Sequence, residues 1–318
     1  MKMEKRKLGN SGLEVPPLCF GCNVFGWTVD EPTGFKLLDA LVGAGLNFLD
    51  TADVYSRWVP GNIDGASETI IGNWLKRSGA RDKVIIATKV GMEMGPDKKG
   101  LSRSYILQSV EDSLRRLQTD YIDLYQSHTD DPATPVEETL EAYAGLVKQG
   151  KVRAIGASNY SASRLSESLS VSQDKGYPRY ECLQPNYNLY DRAEFEAELE
   201  QLCLDKNIGV INYFSLAKGF LTGKYRSEDD LAQSPRGRGV KNYLNDRGFR
   251  ILAALDQVAK EYDSTSAAVS LAWLIARPSI TAPIASATSL DQLNDLISAT
   301  NLELNQDTVE ILNKVSAY

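Results

Sequence analysis

Residues 121–128 have the sequence Tyr-Ile-Asp-Leu-Tyr-Gln-Ser-His and end in His128, the only histidine among 318 residues. Two similar runs occur earlier: Phe-Leu-Asp-Thr-Ala-Asp-Val-Tyr at residues 48–55 and Val-Ile-Ile-Ala-Thr-Lys at residues 84–89. All three runs are apolar for most of their length and end in a residue that can gain or lose a proton. Short continuous apolar runs are typical of parallel strands that are buried on both faces. We therefore expect buried strands that deliver reactive side chains to one common edge.

Five further runs of the same kind complete a regular alternation with helical patterns. The predicted strands are 17–22, 47–51, 84–90, 122–127, 152–157, 181–185, 209–214 and 280–285. Amphipathic helices are predicted between them, for example over 35–42, 67–76 and 136–148, with Ser67 as the N-cap of the second. Eight strands that alternate with helices, without a break in composition, predict a single closed (β/α)₈ barrel domain over residues 1–318.

Two segments do not belong to a minimal barrel. Residues 5–15 contain the turn Gly-Asn-Ser-Gly and predict an N-terminal β-hairpin before the first barrel strand. Residues 218–247 form a long polar loop after the seventh strand, and connections of this length are either functional lids or disordered. Arg236 and Arg238 lie in this loop and are expected to be solvated.

The bulk composition excludes several classes of function. A net charge of −7 and a pI near 5.0 do not provide the basic surface that nucleic acid requires. The sequence has no apolar stretch of the roughly 18 residues needed to span a bilayer, and no apolar segment follows the basic N-terminus as in a secretory signal. Four scattered cysteines, with a single Cys-x-x-Cys at Cys19 and Cys22, predict reduced thiols and no metal site. We expect a cytoplasmic protein without nucleic-acid or membrane partners.

Four ionisable residues at the ends of consecutive strands form a candidate catalytic set. A parallel barrel places its chemistry at the carboxyl ends of its strands. Asp50 and Tyr55 follow the second strand, Lys89 the third and His128 the fourth. A tyrosine, with a pKa near 10, is a poor acid at neutral pH, but a neighbouring lysine ammonium lowers that pKa. Asp50 would hold the lysine in place and His128 would orient a substrate oxygen, so the set predicts proton donation to a carbonyl.

The order Asp, Tyr, Lys, His on these strands resembles the aldo-keto reductase superfamily. Three further segments resemble the strand-five, strand-six and strand-seven motifs of that superfamily: Gly156-Ala-Ser-Asn159, Gln184-Pro-Asn-Tyr-Asn188 and Tyr213-Phe-Ser-Leu-Ala-Lys-Gly-Phe-Leu-Thr-Gly-Lys-Tyr225. The resemblance extends over nearly the whole chain, including the hairpin and the long loop. It implies hydride transfer between a nicotinamide cofactor and a small carbonyl or alcohol, such as an aldehyde, a ketone or a sugar.

The resemblance also implies a role for individual residues. Tyr55 would donate the proton, Lys89 and Asp50 would adjust the pKa of Tyr55, and His128 would orient the substrate. The implied cofactor-binding residues are Gly21, Cys22, Asp50, Ser158, Asn159, Gln184, Tyr213, Phe214, Ser215, Leu216, Lys218, Gly219, Lys224, Ser286, Thr288 and Gln292. The cofactor would be bound without a Rossmann unit, since the chain contains no Gly-x-Gly-x-x-Gly.

The choice between NADP(H) and NAD(H) is less clearly encoded. Many relatives in the superfamily carry a Lys or Arg near the position of Ser286 that binds the 2′-phosphate of NADP, whereas no Lys or Arg occurs here between Arg277 and Lys314. Serine and threonine hydroxyls at 286–289, or Lys218 and Lys224 from the loop, would have to bind that phosphate instead. We expect NADP(H), with NAD(H) as the alternative.

Aromatic residues near the rim are expected to line the substrate pocket: Phe25, Trp27 and Trp58. Two other functions remain open at this point. Lys89 could form a Schiff base in a barrel enzyme of a different class. Alternatively, the chain could be a cofactor-sensing regulatory subunit that resembles the potassium-channel β subunits. The oligomeric state is not encoded in a readable way.

Overall fold

The computed structural model describes residues 4–318 and confirms the predicted barrel. Eight parallel strands form one sheet in the order in which they occur along the chain, with the last strand next to the first. The strands are β3 (Cys19–Gly21), β4 (Phe48–Asp50), β5 (Ile85–Val90), β6 (Ile122–Ser127), β7 (Val152–Ser158), β8 (Tyr180–Gln184), β9 (Gly209–Val210) and β10 (Ile284–Ala285).

Backbone hydrogen bonds between the two outermost strands close the sheet into a ring. The amide of Ile284 donates to the carbonyl of Asn212 at 2.9 Å, and the amide of Thr281 donates to the carbonyl of Val210 at 2.9 Å. On the other side, Ile284 in β10 is paired in parallel with Cys19 in β3. The ring brings the carboxyl ends of all eight strands to one face, where a barrel carries its chemistry.

Ten α-helices were found within residues 4–318. They are α1 (Glu31–Gly43), α2 (Ala66–Ser78), α3 (Arg103–Leu117), α4 (Val136–Lys148), α5 (Ala162–Lys175), α6 (Glu200–Asp205), α7 (Asp246–Glu261), α8 (Ser266–Ile275), α9 (Leu290–Ala299) and α10 (Gln306–Val315). The main apolar core lies between these helices and the strands, and a second apolar cluster fills the inside of the barrel. No helix among the described residues is long and apolar enough to cross a membrane.

The predicted hairpin is present and lies against the amino-terminal end of the barrel. Strands β1 (Arg6–Lys7) and β2 (Glu14–Val15) pair in an antiparallel fashion. Leu8, Leu13 and Val15 are buried against the cluster inside the barrel, so the hairpin covers the end of the barrel opposite the catalytic rim.

The start of α2 differs from the sequence prediction. Gly65, in the left-handed conformation with φ of 70°, is the N-cap, and Ser67 lies inside the first turn. The Ser67 hydroxyl donates to the carbonyl of Cys22 at 2.8 Å and accepts a hydrogen bond from Thr51 at 2.9 Å. Ser67 therefore ties the loops after β3 and β4 together rather than capping a helix.

The long loop after β9 is folded rather than disordered. It consists largely of three short 3₁₀ turns, over Ala217–Thr222, Glu228–Gln233 and Gly237–Tyr243, which precede α7. Tyr243 stacks on Phe220 with a ring separation of 5.4 Å and donates its hydroxyl to Asp191 at 2.8 Å. These contacts fix the loop over the rim of the barrel.

Candidate active site

The Lys89 ammonium is the centre of the candidate catalytic set. Its Nζ atom lies 2.7 Å from Asp50 Oδ2, 2.7 Å from the carbonyl of Thr51 and 3.2 Å from Tyr55 Oη. The Lys89 side chain is fully buried. Burial alone would lower its pKa, but the Asp50 carboxylate and the Tyr55 phenol raise the pKa above its usual range. Lys89 is therefore a permanent cation directed at a phenol.

Asp50 is held by amide side chains from β6 and β8. Gln184 Nε2 donates to Asp50 Oδ1 at 2.9 Å, and Gln126 Nε2 lies 3.3 Å from the same oxygen. Gln126 was missed by the sequence analysis, although an amide within the apolar strand β6, opposite Lys89 in the strand register, was a readable signal. The two amides fix the carboxylate so that its second oxygen faces Lys89.

His128 also lies beside the Tyr55 phenol. The two rings are 5.8 Å apart and meet edge to face. Burial, and to a smaller extent the Lys89 ammonium, lowers the pKa of His128 well below its usual range. Its Nδ1 atom is buried and has no partner among the described residues. A neutral imidazole has one N–H donor, which is what orientation of a carbonyl oxygen requires.

The net pKa of Tyr55 corrects one expectation from the sequence. Burial raises this pKa above its ordinary value, and Lys89 offsets only part of the rise. Lysine thus acts in the expected direction but does not bring the phenol below its ordinary range. Tyr55 consequently keeps its proton at neutral pH, and the ammonium stabilises the phenolate that forms when the proton leaves.

The pKa shifts of His128 and Tyr55 predict the pH profile of carbonyl reduction. Because His128 remains neutral and Tyr55 remains protonated, kcat/KM should be flat between about pH 6 and 9 and should fall only above the ordinary tyrosine pKa of about 10. Oxidation of an alcohol, which needs the phenolate, should rise with pH. The measurement is kcat/KM in both directions across this range. An acidic limb near the ordinary histidine pKa of about 6.5 would contradict the burial of His128.

Three of the implied cofactor residues meet beside this set. Asn159 Nδ2 donates to the carbonyl of His128 at 2.9 Å, and Tyr213 donates its hydroxyl to Asn159 Oδ1 at 2.8 Å. Ser158 Oγ donates to the carbonyl of Gln184 at 2.9 Å. Polar groups from β6, β7, β8 and the segment after β9 are therefore joined along one arc of the rim. Amide and hydroxyl groups of this kind suit a carboxamide such as that of nicotinamide.

The turn after β9 has an unusual backbone. Phe214, Ala217 and Lys218 are non-glycine residues with positive φ angles of 53°, 47° and 58°, and Gly219 follows with φ of 100°. Successive residues in right- and left-handed conformations point their N–H groups into a common concavity that binds anions. Left-handed non-glycine residues are costly and concentrate at functional sites, so this turn is a candidate for binding the diphosphate of a dinucleotide. Ser215 is buried within this turn.

The two lysines of this segment differ in exposure. Lys218 is half-buried with Nζ 5.1 Å from the Phe214 ring, while Lys224 is exposed with Nζ 5.1 Å from the Tyr225 ring. Leu216 packs against the main core from a half-buried position. Lys218 lies on the turn with the left-handed residues, and Lys224 Nζ lies 3.8 Å from the place of a Cβ atom on Gly219, so both cations are close to that backbone.

The remaining implied cofactor residues lie around β3 and the start of α9. A Cβ atom on Gly21 would come within 2.7 Å of Ser286 Oγ and 2.9 Å of Ile284 Cγ2, so a larger residue at this position would force these side chains to move. The side chain of Cys22 is fully buried in the core, which leaves only its backbone for a cofactor. The backbone and hydroxyl of Thr288 both donate to Gln292 Oε1, at 2.9 and 3.1 Å. Gln292 thus closes the N-terminal turn of α9.

The three aromatic residues expected in the substrate pocket occupy different places. Phe25 is fully buried, packs on Phe20 and belongs to the core, so it is removed from the pocket set. Trp27 and Trp58 meet edge to face at 5.6 Å, and Trp58 lies 5.9 Å from the Tyr55 ring. With 48% of its surface exposed, Trp58 forms an open aromatic wall beside the phenol.

Comparison with known proteins finds one family model and several relatives that match nearly the whole chain. The model of the Aldo/keto reductase family matches residues 17–317. An uncharacterized oxidoreductase, YrpG of Bacillus subtilis (strain 168), is 35% identical over 98% of this chain and 96% of its own length. Aldo-keto reductase YhdN of the same organism is 33% identical over 98% and 93%. A probable voltage-gated potassium channel subunit beta of Oryza sativa subsp. japonica is 33% identical over 99% and 96%.

Proposed function

The chain belongs to the aldo/keto reductase family, and from this premise we propose that it interconverts a carbonyl compound and its alcohol with Tyr55 as the proton donor. The family implies an NAD(P)-dependent oxidoreductase. The observation that carries the proposal is the Tyr55 hydroxyl 3.2 Å from an ammonium that is itself paired with Asp50 at 2.7 Å. The test is consumption of NADPH or NADH with a panel of aldehydes, ketones and sugars.

The residues of the site divide the work of reduction between them. When bound, the nicotinamide supplies the hydride for the carbonyl carbon. Tyr55 gives its phenolic proton to the carbonyl oxygen, and the Lys89 ammonium stabilises the phenolate that remains. His128 donates one hydrogen bond to the same oxygen and fixes its position between the two rings. In alcohol oxidation the phenolate of Tyr55 takes the proton back, so the same groups serve both directions.

The Schiff-base alternative is disfavoured by the state of Lys89. A Schiff-base lysine must be a free amine with room for a carbonyl carbon. Lys89 is fully buried, its pKa is raised, and it is in contact with Asp50, the Thr51 carbonyl and Tyr55. The ammonium therefore has neither the lone pair nor the access that nucleophilic attack requires.

A second candidate function is a cofactor-sensing regulatory subunit. Two relatives are named probable voltage-gated potassium channel subunits beta, one of Oryza sativa and one of Arabidopsis thaliana, at 33% and 32% identity. Both functions require the cofactor turn, so cofactor binding does not separate them. Turnover does: a regulatory subunit would hold its cofactor tightly and reduce carbonyls only slowly. The complete set of Asp50, Tyr55, Lys89 and His128 supports the reductase.

We expect tighter binding of NADPH than of NADH, by about tenfold or more, because charge-assisted contacts to the 2′-phosphate add affinity. The supporting observation is that Lys218 lies on the turn after β9 and that Lys224 Nζ lies 3.8 Å from the place of a Cβ atom on Gly219 in that turn. Quenching of tryptophan fluorescence during titration measures both affinities. The pair of substitutions Lys218→Ala and Lys224→Ala should reduce the preference, while Lys148→Ala at the end of α4 should not. Equal affinities in the unsubstituted protein would contradict NADP(H) preference.

A further inference from the structure

Arg236 is not the solvated residue that the sequence predicted. Its side chain is half-buried, with its guanidinium 5.1 Å from the centre of the Trp27 ring. The Nη2 atom is buried and has no hydrogen-bond partner among residues 4–318. Arg238, two residues further along the same loop, is exposed. One arginine of this loop is therefore directed inwards and the other outwards.

A continuous row of aromatic rings connects Arg236 with the proton donor. Trp27 contacts Trp58 with a ring separation of 5.6 Å, and Trp58 contacts Tyr55 with a ring separation of 5.9 Å. The guanidinium thus lies at the far end of an aromatic wall that begins at the phenol. A substrate lying along this wall would have its carbonyl at one end and Arg236 at the other.

The charge on Arg236 has no counterpart in the described part of the chain. Arginine remains protonated in proteins, and none of the ion pairs formed by residues 4–318 includes Arg236. Burial lowers its pKa, and the phenols of Tyr225 and Tyr55 raise it in part. A partly desolvated cation without a partner is unfavourable, so an anion that reaches it gains a charge-assisted hydrogen bond at little cost.

We propose that Arg236 binds a carboxylate on the substrate, so that the protein prefers carbonyl compounds carrying an acid group at the end remote from the carbonyl. This inference rests on the proposed reductase function and adds a substrate class to it. A guanidinium is planar and can form two parallel hydrogen bonds, which favours a planar, bidentate partner such as a carboxylate. Trp27 and Trp58 favour an aromatic spacer between the two ends, since aromatic rings pack favourably against each other in edge-to-face and offset arrangements.

The experiment compares an acidic aldehyde with its neutral ester. The probes are 4-carboxybenzaldehyde and methyl 4-formylbenzoate, which share the ring and the aldehyde and differ in charge. The variants are Arg236→Gln, Arg236→Lys and the matched control Arg238→Gln. In the unsubstituted protein, kcat/KM should be higher for the acid, and Arg236→Gln should lower it about 10- to 100-fold for the acid and less than about twofold for the ester. The kcat/KM of Arg236→Lys for the acid should lie between those of the unsubstituted protein and of Arg236→Gln. Lysine keeps the positive charge but cannot form the two parallel hydrogen bonds of a guanidinium.

Other outcomes separate the possible errors. If Arg236→Gln lowered kcat/KM equally for both aldehydes and also weakened NADPH binding, Arg236 would be assigned to a cofactor phosphate and the inference would be overturned. An unchanged ratio of kcat/KM for the acid to kcat/KM for the ester in Arg236→Gln would also overturn the inference, while leaving the reductase function intact. If the unsubstituted protein reduced neither aldehyde, the reductase function would be in question. Calorimetric binding of 4-carboxybenzaldehyde by the cofactor-loaded protein and by its Arg236→Gln variant would then decide the inference, with loss of binding supporting it and equal binding overturning it.

Discussion

Replacing Tyr55 with phenylalanine should lower kcat for carbonyl reduction about 10²- to 10⁴-fold, the usual contribution of a positioned general acid. The substitution removes one hydroxyl and keeps the ring that contacts Trp58 and His128. Cofactor affinity should change little, because the oxygen of Tyr55 donates to none of the cofactor residues and lies against Lys89. Single-turnover reduction and fluorescence titration with NADPH measure the two quantities separately.

A matched tyrosine controls for the loss of a hydroxyl elsewhere in the barrel. Tyr121 lies at the amino-terminal end of β6, where its ring stacks under the Arg81 guanidinium at 3.7 Å. Tyr121→Phe should leave turnover unchanged because that end of the barrel is remote from the rim. If Tyr55→Phe retained turnover close to that of Tyr121→Phe, another group would have to supply the proton and the assignment of Tyr55 would be wrong.

The barrel could be predicted because its strands are buried on both faces. Runs such as 122–127, which is buried at every residue, alternate with helices at regular spacing, and their order along the chain is the order of the sheet. That Asp50, Tyr55, Lys89 and His128 come close together could be predicted for the same reason, since Asp50 and Lys89 lie near the carboxyl ends of β4 and β5 while Tyr55 and His128 follow β4 and β6. Lys89 lies 2.7 Å from Asp50 and 3.2 Å from Tyr55, and the His128 ring lies 5.8 Å from the Tyr55 ring, while the catalytic roles of these residues stay a prediction.

What could not be predicted depends on neighbours that are remote in the chain. Whether Phe25 faces the pocket or the core is decided by the packing of Phe20, and whether Ser67 caps a helix is decided by the Cys22 carbonyl. The pKa of Tyr55 depends on the balance between burial and Lys89, and burial is a property of the whole fold. Nothing in the local sequence distinguishes Arg236 from Arg238, so the sequence could not show which of the two contacts Trp27.

Lys89→Met should be the most damaging single substitution at the site. Removing one member of a buried ion pair typically costs about 3–5 kcal/mol, because the remaining charge is left without a partner. Asp50 is only 2% exposed and would keep the hydrogen bonds from Gln184 and Gln126 but lose its cation. Turnover should fall as well, since nothing would then stabilise the Tyr55 phenolate.

A second substitution separates stability from catalysis. Asp50→Asn in the Lys89→Met background removes the unpaired charge and keeps an oxygen acceptor for Gln184, so most of the free energy of unfolding should return. Turnover should remain low, because the ammonium is still missing. Urea unfolding and kcat on the two single variants and the double variant complete the cycle. Lys175→Met, which breaks an exposed pair with Glu137, is the control and should leave both quantities nearly unchanged.

The cycle distinguishes a catalytic lysine from a structural one. If Lys89 served only to neutralise Asp50, the double variant would regain turnover together with stability, since both charges would be absent. If Lys89 also acts on Tyr55, stability and turnover separate, and the pH profile of the residual activity shifts because the phenol loses the cation that lowers its pKa. Recovery of turnover in the double variant would therefore contradict the proposed role of Lys89, even if Tyr55 proved to be the proton donor.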